Sequence, residues 1–176
     1  MTPETLAEAM GIPLVRARKW APALSKAMEG GQINTRLRIA AFLAQIGHES
    51  GSLVYVKELG GASYFQKYEG RKDLGNTQPG DGPKFAGRGL IQVTGRANYL
   101  AASKALFGDD RLLKTPELLE QPEWAAESAV WFWSSRNLNA LADADRFTDL
   151  TKRINGGTNG LEDRKARYRQ ALKVLK

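Results

Sequence analysis

The feature that most constrains this chain is an almost wholly apolar segment at residues 37–46. Asn34 or Thr35 is suited to cap its start, and Gly51 is suited to break it. A helix that is hydrophobic on nearly every side is stable only when protein covers all of those sides. We therefore expect a buried central helix, around which the rest of the chain must pack.

Helix signals recur on both sides of this segment. Thr2 is suited to cap a first helix that has Pro3 at its first position and ends near Gly11. A second helical stretch follows Pro13, and we expect Pro22 to interrupt or restart it. Further helical segments are predicted at residues 94–107, from Pro122 onward, at FTDLTKRIN and at GLEDRKARYRQALKVLK. The sequence thus predicts a mainly α-helical single domain over residues 1–176, with residues 1–30 as a helical segment packed on the core.

The middle of the chain has a different character. Residues 60–90 are rich in Gly, Pro, Asn and Asp, which is typical of turns, irregular chain and short strands. A disordered linker is the alternative, but several aromatic residues in and beside the segment favour packing: Tyr55, Tyr64, Phe65, Tyr68 and Phe85. Long ordered loops in compact domains are commonly functional. We expect an irregular or short-strand region at about residues 55–92.

Charge and composition narrow the classes of function. The 176 residues carry a net charge of +7, which favours polyanionic partners such as nucleic acid, anionic lipid or an acidic polysaccharide. The basic residues are dispersed, so a solvated basic surface is an equal alternative. The absence of cysteine excludes a disulfide framework, a thiolate metal site and a thiol nucleophile. His48 is the only histidine, and Ser52 stands where a zinc-protease motif needs a second one.

The sequence also predicts where the protein is made. The N-terminal segment has no apolar stretch of the length that a signal peptide needs. No run of about 18 consecutive apolar residues occurs that would cross a membrane. We therefore expect synthesis as a soluble cytoplasmic protein that does not insert stably into membranes.

Glu49, at the end of the apolar segment, is a candidate proton donor. Glycoside cleavage needs one protonated and one ionised carboxyl group, and desolvation beside an apolar helix end would favour the protonated form. A surface glutamate at a frayed helix end is the alternative. Glu58 would lie about 13 Å away on the opposite face of an uninterrupted helix, so a break at Gly51 is required for the two acids to cooperate. Glu69 is a competing second acid, and spacing does not choose between them.

The segment FAGRGLIQVTGRANY, residues 85–99, is a third candidate for function. Its glycine spacing fits neither a phosphate-binding loop nor a dinucleotide fingerprint. Gln92, Thr94 and Asn98 are suited to hydrogen-bond the hydroxyl and amide groups of a sugar. A turn followed by a helix that Thr94 caps is the structural alternative.

Four blocks, in the same order along the chain, resemble glycoside hydrolase family 19, the chitinase-like group: AFLAQIGHESG, FAGRGLIQVTGRANY, AVWFWSS and RINGGTNGLEDR. The N-terminal opening and short middle resemble the compact members encoded by bacteriophages, which act as endolysins. The resemblance implies a lysozyme-like, mainly α fold and an inverting mechanism that uses no metal or cofactor. Inverting enzymes hold their two carboxyl groups about 6.5–9.5 Å apart.

The resemblance also implies roles for individual residues. Glu49 matches the general acid, Glu58 the catalytic base, and Thr94 the hydroxyl residue that helps to hold the attacking water. Arg164 matches an arginine that interacts with the base. The substrate-binding candidates are His48, Tyr64, Gln92, Asn98, Asn155 and Arg164. The chain lacks several substrate loops of plant chitinases, and Ala97 replaces a tyrosine of those enzymes, which argues against long-chitin specificity.

The expected function is therefore that of an endolysin. It would hydrolyse β-1,4 bonds in the glycan strands of peptidoglycan as a monomer, without nucleic-acid partners. It would be made in the cytoplasm of a host bacterium and reach the wall from the periplasm after release. A chitinase acting on N-acetylglucosamine polymers is the alternative, and a non-catalytic glycan-binding module is a further one.

Overall fold

The computed structural model describes residues 1–176, of which 66% are helical, with almost no strands. The mainly α prediction is therefore confirmed. The α-helices are α1 (Pro3–Met10), α2 (Leu14–Gly30), α3 (Arg36–Glu49), α4 (Ala62–Phe65), α5 (Asp81–Lys84), α6 (Arg96–Phe107), α7 (Arg111–Lys114), α8 (Pro122–Ser135), α9 (Leu138–Asp143), α10 (Phe147–Asn155) and α11 (Leu161–Val174). No helix combines the length and the apolar character needed to span a bilayer.

The chain divides into two compact units. The first unit consists of Met1–Val54 with Phe132–Lys176, and the second unit is Tyr55–Trp131. The prediction of a single catalytic domain stays a prediction. The two units differ in how much of their chain is regular.

Helix α3 is the centre of the first unit. Eight successive residues, 40–47, are buried, which confirms the predicted central helix. Thr35 caps its start, because the Thr35 hydroxyl accepts a hydrogen bond from the backbone N–H of Arg38 at 3.3 Å. Helix α3 packs against α11, α9 and α1, and Phe42 meets Trp133 edge-to-face with ring centroids 5.3 Å apart.

The N-terminal helices confirm one prediction and correct another. Thr2 caps α1 as predicted, with Pro3 at its first position and Gly11 in the left-handed conformation at its end. Helix α1 packs on α2, α3 and α11. The predicted interruption at Pro22 is wrong, because α2 runs through Pro22 without a break. Pro22 lies on an exposed face of α2, where water can satisfy the carbonyl group that loses its partner.

The chain reverses sharply after α3. The helix ends at Glu49, and Gly51, Ser52 and Leu53 all adopt the left-handed conformation, with φ between 56° and 64°. The Ser50 hydroxyl stabilises the turn, since it donates to the carbonyl of Ile46 and accepts from the N–H of Leu53 at 2.8 Å. A left-handed leucine is unfavourable in isolation, and its burial in the first unit compensates for that strain. The predicted break near Gly51 is confirmed.

The second unit contains the predicted irregular region. Short helices, 3₁₀ turns at Gln66–Tyr68 and Lys72–Leu74, and two isolated bridges, Lys57 with Arg88 and Arg88 with Val93, replace regular strands there. The segment is nevertheless packed, since Phe65 and Phe85 are both buried. The core of the unit is formed by Phe85, Val93, Tyr99, Ala102, Leu112 and Leu119.

A buried ion pair joins the starts of α5 and α6. The carboxylate of Asp81 is 2% exposed and accepts from Nε and Nη2 of Arg96 at 2.8 and 2.7 Å. It also accepts from the backbone N–H of Gln78 at 3.0 Å. The hydrogen bonds from Arg96 lower the pKa of Asp81 below its usual value, despite the opposing effect of burial. This pair therefore fixes the loop before α5 against α6.

We expect Asp81→Asn to lower the free energy of unfolding by about 1–3 kcal/mol at pH 7. Because the folded-state pKa of Asp81 is depressed, its contribution is complete above the unfolded-state pKa and is lost as the pH falls through the folded-state value. The difference between variant and parent should therefore narrow below about pH 4. Urea unfolding at several pH values measures this.

The matched control is Asp73→Asn. Asp73 also pairs with an arginine, Arg71, but both side chains are largely exposed. We expect a change within about 0.5 kcal/mol at all pH values. An equal destabilisation by Asp81→Asn at neutral and acidic pH would contradict the assigned role of the ion pair.

Candidate active site

Glu49 lies in the last turn of α3, where a buried arginine holds it. The carboxylate is 23% exposed, and its Oε1 accepts from Nη2 of Arg164 at 2.6 Å. Arg164, on α11, is 2% exposed and also donates to Oε1 of Gln45 and to the carbonyl of Asn159. Gln45 precedes Glu49 by four residues, so both side chains lie on the same face of α3. One guanidinium therefore binds two residues of the central helix.

Two expectations about Glu49 are corrected by this contact. The surroundings of the carboxyl group are not purely apolar, because a buried cation contacts one of its oxygens. Arg164, which the resemblance pairs with the base, forms its ion pair with Glu49 instead. The physical reason is that a guanidinium buried beside α3 requires charged and polar partners, and Glu49 and Gln45 supply them.

His48 connects the end of α3 to the start of α11. Its Nδ1 lies 2.7 Å from Oδ2 of Asp163, which also accepts from Nε of Arg167 at 2.8 Å. The imidazole packs directly on Gly160, where an added Cβ would lie 2.2 Å from Cε1 of the ring. Gly160 also has a φ of +68°, so glycine is required there for two reasons. Substrate binding by His48 stays a prediction.

Asn155 shapes the loop that precedes α11. Its Nδ2 donates to the carbonyl of Asn159 at 3.0 Å, and its Oδ1 accepts from the N–H of Gly157 at 2.8 Å. The carbonyl of Asn159 is also a partner of Arg164. Asn155 and Arg164 therefore share the carbonyl of Asn159 as an acceptor, and Arg164 in turn pairs with Glu49. The side chain of Asn155 is exposed. Its predicted contact with substrate is untested.

Glu58 lies in the second unit, on irregular chain. Its Oε1 accepts from the Tyr68 hydroxyl at 2.9 Å and from Nζ of Lys67 at 3.1 Å. Its backbone N–H donates to the carbonyl of Gly87 at 2.8 Å, which fixes the residue beside the 85–99 segment. Burial, together with the neighbouring Glu58 carboxylate, raises the pKa of Tyr68. The phenol therefore remains a hydrogen-bond donor to Glu58 across the neutral range.

Tyr64 and Glu58 both contact Lys67. Nζ of Lys67 is 3.6 Å from the ring centroid of Tyr64 and 4.7 Å from that of Tyr68. Tyr64 is 47% exposed, so it remains accessible for the predicted contact with substrate. Lys67 and Tyr68 were not predicted as partners of Glu58, because residues nine and ten positions away in irregular chain give no periodic signal.

Glu69, the competing second acid, has a structural role. Its Oε1 accepts from the N–H of Gly80 and its Oε2 accepts from the N–H of Gly82, both at 2.7 Å. A carboxylate at the start of a short helix satisfies backbone donors that have no partner within the helix. Both oxygens of Glu69 are therefore committed to the loop around α5.

Gln92 and Thr94 lie beside Glu58, whereas Asn98 lies in the first turn of α6. The side chains of Glu58, Gln92 and Thr94 all approach the Cα of Gly87. Thr94 does not cap α6, because Gly95 occupies that position and the Thr94 hydroxyl donates to the carbonyl of Gln92 at 3.1 Å. Nδ2 of Asn98, in the first turn of α6, donates to the carbonyl of Thr94 at 2.8 Å. The second unit thus brings together the predicted base and the predicted water-holding hydroxyl.

In each unit the candidate acid lies beside a cation, and metal ligands are not grouped. No set of three or more His, Cys, Asp and Glu side chains is placed to hold a metal ion. Each candidate acid instead has a cationic partner: Arg164 for Glu49 and Lys67 for Glu58.

Comparison with known proteins identifies the family. The sequence profile of glycoside hydrolase family 19, described as chitinase class I, matches residues 13–145. The chain belongs to glycoside hydrolase family 19. A glycosyl hydrolase family 19 domain-containing protein of Haemophilus influenzae is 33% identical over 178 residues, which cover 85% of this chain and 86% of that protein. An Arabidopsis thaliana endochitinase is 39% identical over 120 residues, and these cover 68% of this chain but only 39% of the plant protein.

Solved structures of family 19 enzymes have the same fold. Chitinase C from Streptomyces griseus matches 98% of this chain and 75% of its own chain, with a TM-score of 0.79 and 26% identity. A bacterial family 19 chitinase matches 97% of this chain and 94% of its own, with a TM-score of 0.72 and 25% identity. The protein is therefore a glycosidase with the lysozyme-like fold of family 19, and the non-catalytic alternative is not supported.

We expect Arg164→Met to lower the free energy of unfolding by about 3 kcal/mol, because it leaves Glu49 and Gln45 without their buried donor. Arg164→Lys should recover only part of that loss, since an ammonium group cannot reproduce the three-way contact of the guanidinium. Chemical denaturation measures both variants.

The control is Arg169→Met, on the same helix. Arg169 is exposed and forms no ion pair, so we expect a change within about 0.5 kcal/mol. If Arg164→Met were as stable as this control, Arg164 would not hold the end of α3 as described.

Proposed function

We propose that this family 19 glycosidase is an endolysin of the bacteriophage type, which hydrolyses β-1,4 bonds of bacterial peptidoglycan with inversion. The observation that carries the chemistry is the grouping of Glu58, Thr94 and Gln92 around Gly87, together with the structural commitment of Glu69. This grouping supports Glu58 over Glu69 as the base. The sequence alone leaves that choice open.

In the proposed mechanism Glu49 is the general acid. Arg164 holds Oε1 of Glu49, whereas Oε2 has no hydrogen-bond partner in the protein and is not buried. Oε2 is therefore the atom that carries the proton to the leaving oxygen of the glycosidic bond. The ion pair with Arg164 orients the carboxyl group so that this free oxygen has a fixed direction.

Glu58 is the proposed general base. It takes a proton from a water molecule as the oxygen of that water bonds to the anomeric carbon, while Glu49 protonates the leaving sugar. The Thr94 hydroxyl helps to hold the water. Proton exchange with solvent then restores both carboxyl groups, and the new reducing end has the inverted configuration.

The distribution of charge supports an anionic wall as the substrate. Residues of the first unit carry 16 Lys and Arg against 9 Asp and Glu, whereas the second unit carries 10 of each. The whole excess of +7 thus belongs to the first unit. Lys165, Arg169 and Lys173 are spaced by four along α11 and lie on one face, and Arg169 and Lys173 form no ion pair. Peptidoglycan carries carboxylates on its peptides, whereas chitin is neutral.

A chitinase is the second candidate, and three of the four relatives named above favour it, because they are an endochitinase and two chitinases. One local feature argues for a different substrate range. An added Cβ on Gly75 would lie 2.6 Å from Cβ of Ala97, so the loop at Gly75 covers the position where plant enzymes carry a tyrosine. A larger side chain at 97 would displace this loop.

The proposal includes a place of action. The protein would be made in the cytoplasm of a host bacterium and would act, as a monomer, on glycan strands from the periplasm after release. This part rests on the endolysin assignment and fails with it. At a minimum, this proposal requires that the added protein lyse bacteria whose outer membrane has been permeabilised.

We expect Glu49→Gln and Glu58→Gln each to lower kcat by about 10²–10⁴-fold, because each removes one proton-transfer group. Loss of turbidity of permeabilised bacteria and release of sugars from chitin oligomers are measured in parallel. Proton NMR of the first product reports inversion. Glu69→Gln is the control. Any decrease in its kcat should be explained by a decrease in its melting temperature, because Glu69 stabilises the loop around α5.

Three outcomes would change the assignment. Near-parental activity of Glu58→Gln would remove Glu58 as the base. Cleavage of chitin oligomers without any lysis would make the protein a chitinase. Wall binding by the parent protein without cleavage of either substrate would revive a glycan-binding role.

We also expect the triple variant Lys165→Gln, Arg169→Gln, Lys173→Gln to slow lysis several-fold at low ionic strength, with chitin-oligomer hydrolysis within about twofold of the parent. Its lysis rate should depend less steeply on salt. The control neutralises three lysines of the second unit, Lys72, Lys104 and Lys114. If both triple variants slow lysis equally, the basic face of α11 is not the wall-binding surface.

A further inference from the structure

We infer that a cavity between the start of α10 and the middle of α11 binds the zwitterionic end of a diamino acid in a wall peptide, where a free ammonium and a free carboxylate share one carbon. The cavity lies wholly within the first unit, and neither candidate acid lines it. The inference deepens the proposed function and rests on it for the choice of ligand, because it assigns a site to the peptides of the proposed substrate.

The cavity has the size and the lining of a small-ligand site. Its volume is about 380 Å³, within the range of pockets that hold small molecules. One wall is apolar, since the rings of Phe147 and Tyr168 stack with centroids 4.5 Å apart and both residues are buried. The rest of the lining is polar or charged: Asp145, Arg146, Thr148, Asp149, Lys165 and Arg169. Such a cavity suits a ligand with a short hydrocarbon chain and a charged end.

Two cations of the lining are available to a carboxylate. Arg169 is exposed and forms no hydrogen bond or ion pair within the protein. Lys165 reaches only Glu162, at 3.9 Å, and the Glu162 side chain is 84% exposed. The third cation, Arg146, is already paired with Asp149 at 2.8 Å. A carboxylate bound here therefore meets two positive charges that the protein compensates weakly or not at all.

Asp145 supplies the acceptor for an ammonium group. Its Oδ1 accepts from the Tyr168 hydroxyl at 2.9 Å, whereas its Oδ2 has no partner within the protein. Burial and the hydrogen bond to Asp145 raise the pKa of Tyr168, so the phenol keeps its proton and remains the donor. The Asp145 carboxylate is thus oriented by one oxygen and open at the other.

These charges distinguish among the groups of a wall peptide. A lone carboxylate engages the cations but leaves Asp145 without a partner, and a lone ammonium leaves Arg169 without one. A diamino acid whose side chain ends in both groups engages all of them, with its methylene groups against Phe147 and Tyr168. Chitin has neither charged group, so the cavity contributes no such contacts to its binding.

The first test uses two wall tripeptides that differ by one carboxylate: L-Ala-γ-D-Glu-meso-diaminopimelate and L-Ala-γ-D-Glu-L-Lys. NMR titration of the isotope-labelled parent protein measures both affinities. The diaminopimelate peptide should shift the amide signals of residues 145–149 and 165–169, and should bind about tenfold more tightly, because the lysine peptide lacks one charged hydrogen-bond acceptor. No binding, equal affinities, or shifts centred outside these two segments would overturn the inference.

Two variants each remove one charge from the cavity. Asp145→Asn keeps an acceptor for Tyr168 and suits the left-handed φ of +52° at this position. Arg169→Gln changes an exposed side chain, so both variants should fold as the parent does. Each should weaken binding of the diaminopimelate peptide about tenfold.

The matched controls are Glu4→Gln and Arg18→Gln, which make the same changes of charge. Both residues are exposed, lie in the first unit outside the cavity and form no ion pair. The controls should keep parental affinity. Equal weakening by variants and controls would assign binding to net charge and overturn the inference.

Binding and lysis are measured separately, so the two proposals fail independently. Selective binding of the diaminopimelate peptide by a protein that lyses no cells removes the proposed function and supports the binding site. Lysis by a protein that binds both tripeptides equally removes only the binding site.

Discussion

The contact on which the predicted acid depends is the buried guanidinium of Arg164. A cation taken out of water is costly unless every donor finds a partner, and Arg164 satisfies its donors with Gln45, Glu49 and the carbonyl of Asn159. Gln45 in turn donates to the hydroxyl of Thr151 on α10. Three helices of the first unit, α3, α10 and α11, are therefore tied by one polar network. The orientation of Glu49 is a consequence of how this core is satisfied, not a separate feature of the surface.

A second buried arginine has a comparable place in the second unit. Arg88 is 4% exposed and donates to Glu120, to the carbonyl of Lys84 and to the hydroxyl of Tyr99. Its backbone exchanges two hydrogen bonds with Val93, which closes the turn that contains Gln92. Irregular chain has no helix to fix its geometry. The buried side chain of Arg88 supplies that constraint, and so holds Gln92 in its left-handed conformation next to Glu58.

Local patterns predicted what local forces determine. The apolar run predicted α3, and Thr2, Thr35 and Gly51 correctly marked helix ends, because caps and breaks depend on a few neighbouring residues. The prediction at Pro22 was wrong, because a proline on an exposed helix face destabilises the helix less than a buried one does.

The contacts of the two acids could not be predicted from the sequence, because they involve residues that are distant along the chain or backbone groups. The partner of Glu49 lies 115 positions further along the chain, and no periodicity in α3 reveals it. In the sequence alone, Glu58 and Glu69 are indistinguishable as candidates for the base. They differ because two backbone N–H groups, of Gly80 and Gly82, occupy the oxygens of Glu69. Gln45 was a usable signal, since a polar residue inside an apolar helix requires a buried partner.

The motif FAGRG shows that two glycines two positions apart can answer to different physical demands. Gly89 adopts a conformation that other residues avoid, and an added Cβ there would also meet the Ser128 hydroxyl at 2.7 Å. Gly87 could carry a side chain as far as its backbone is concerned, and glycine gives the unfolded chain more freedom than alanine would. That cost falls on stability, and it is explained by the oxygens of Gln92, Thr94 and Glu58, which lie 2.6–3.3 Å from where a Cβ would be and so exclude a side chain.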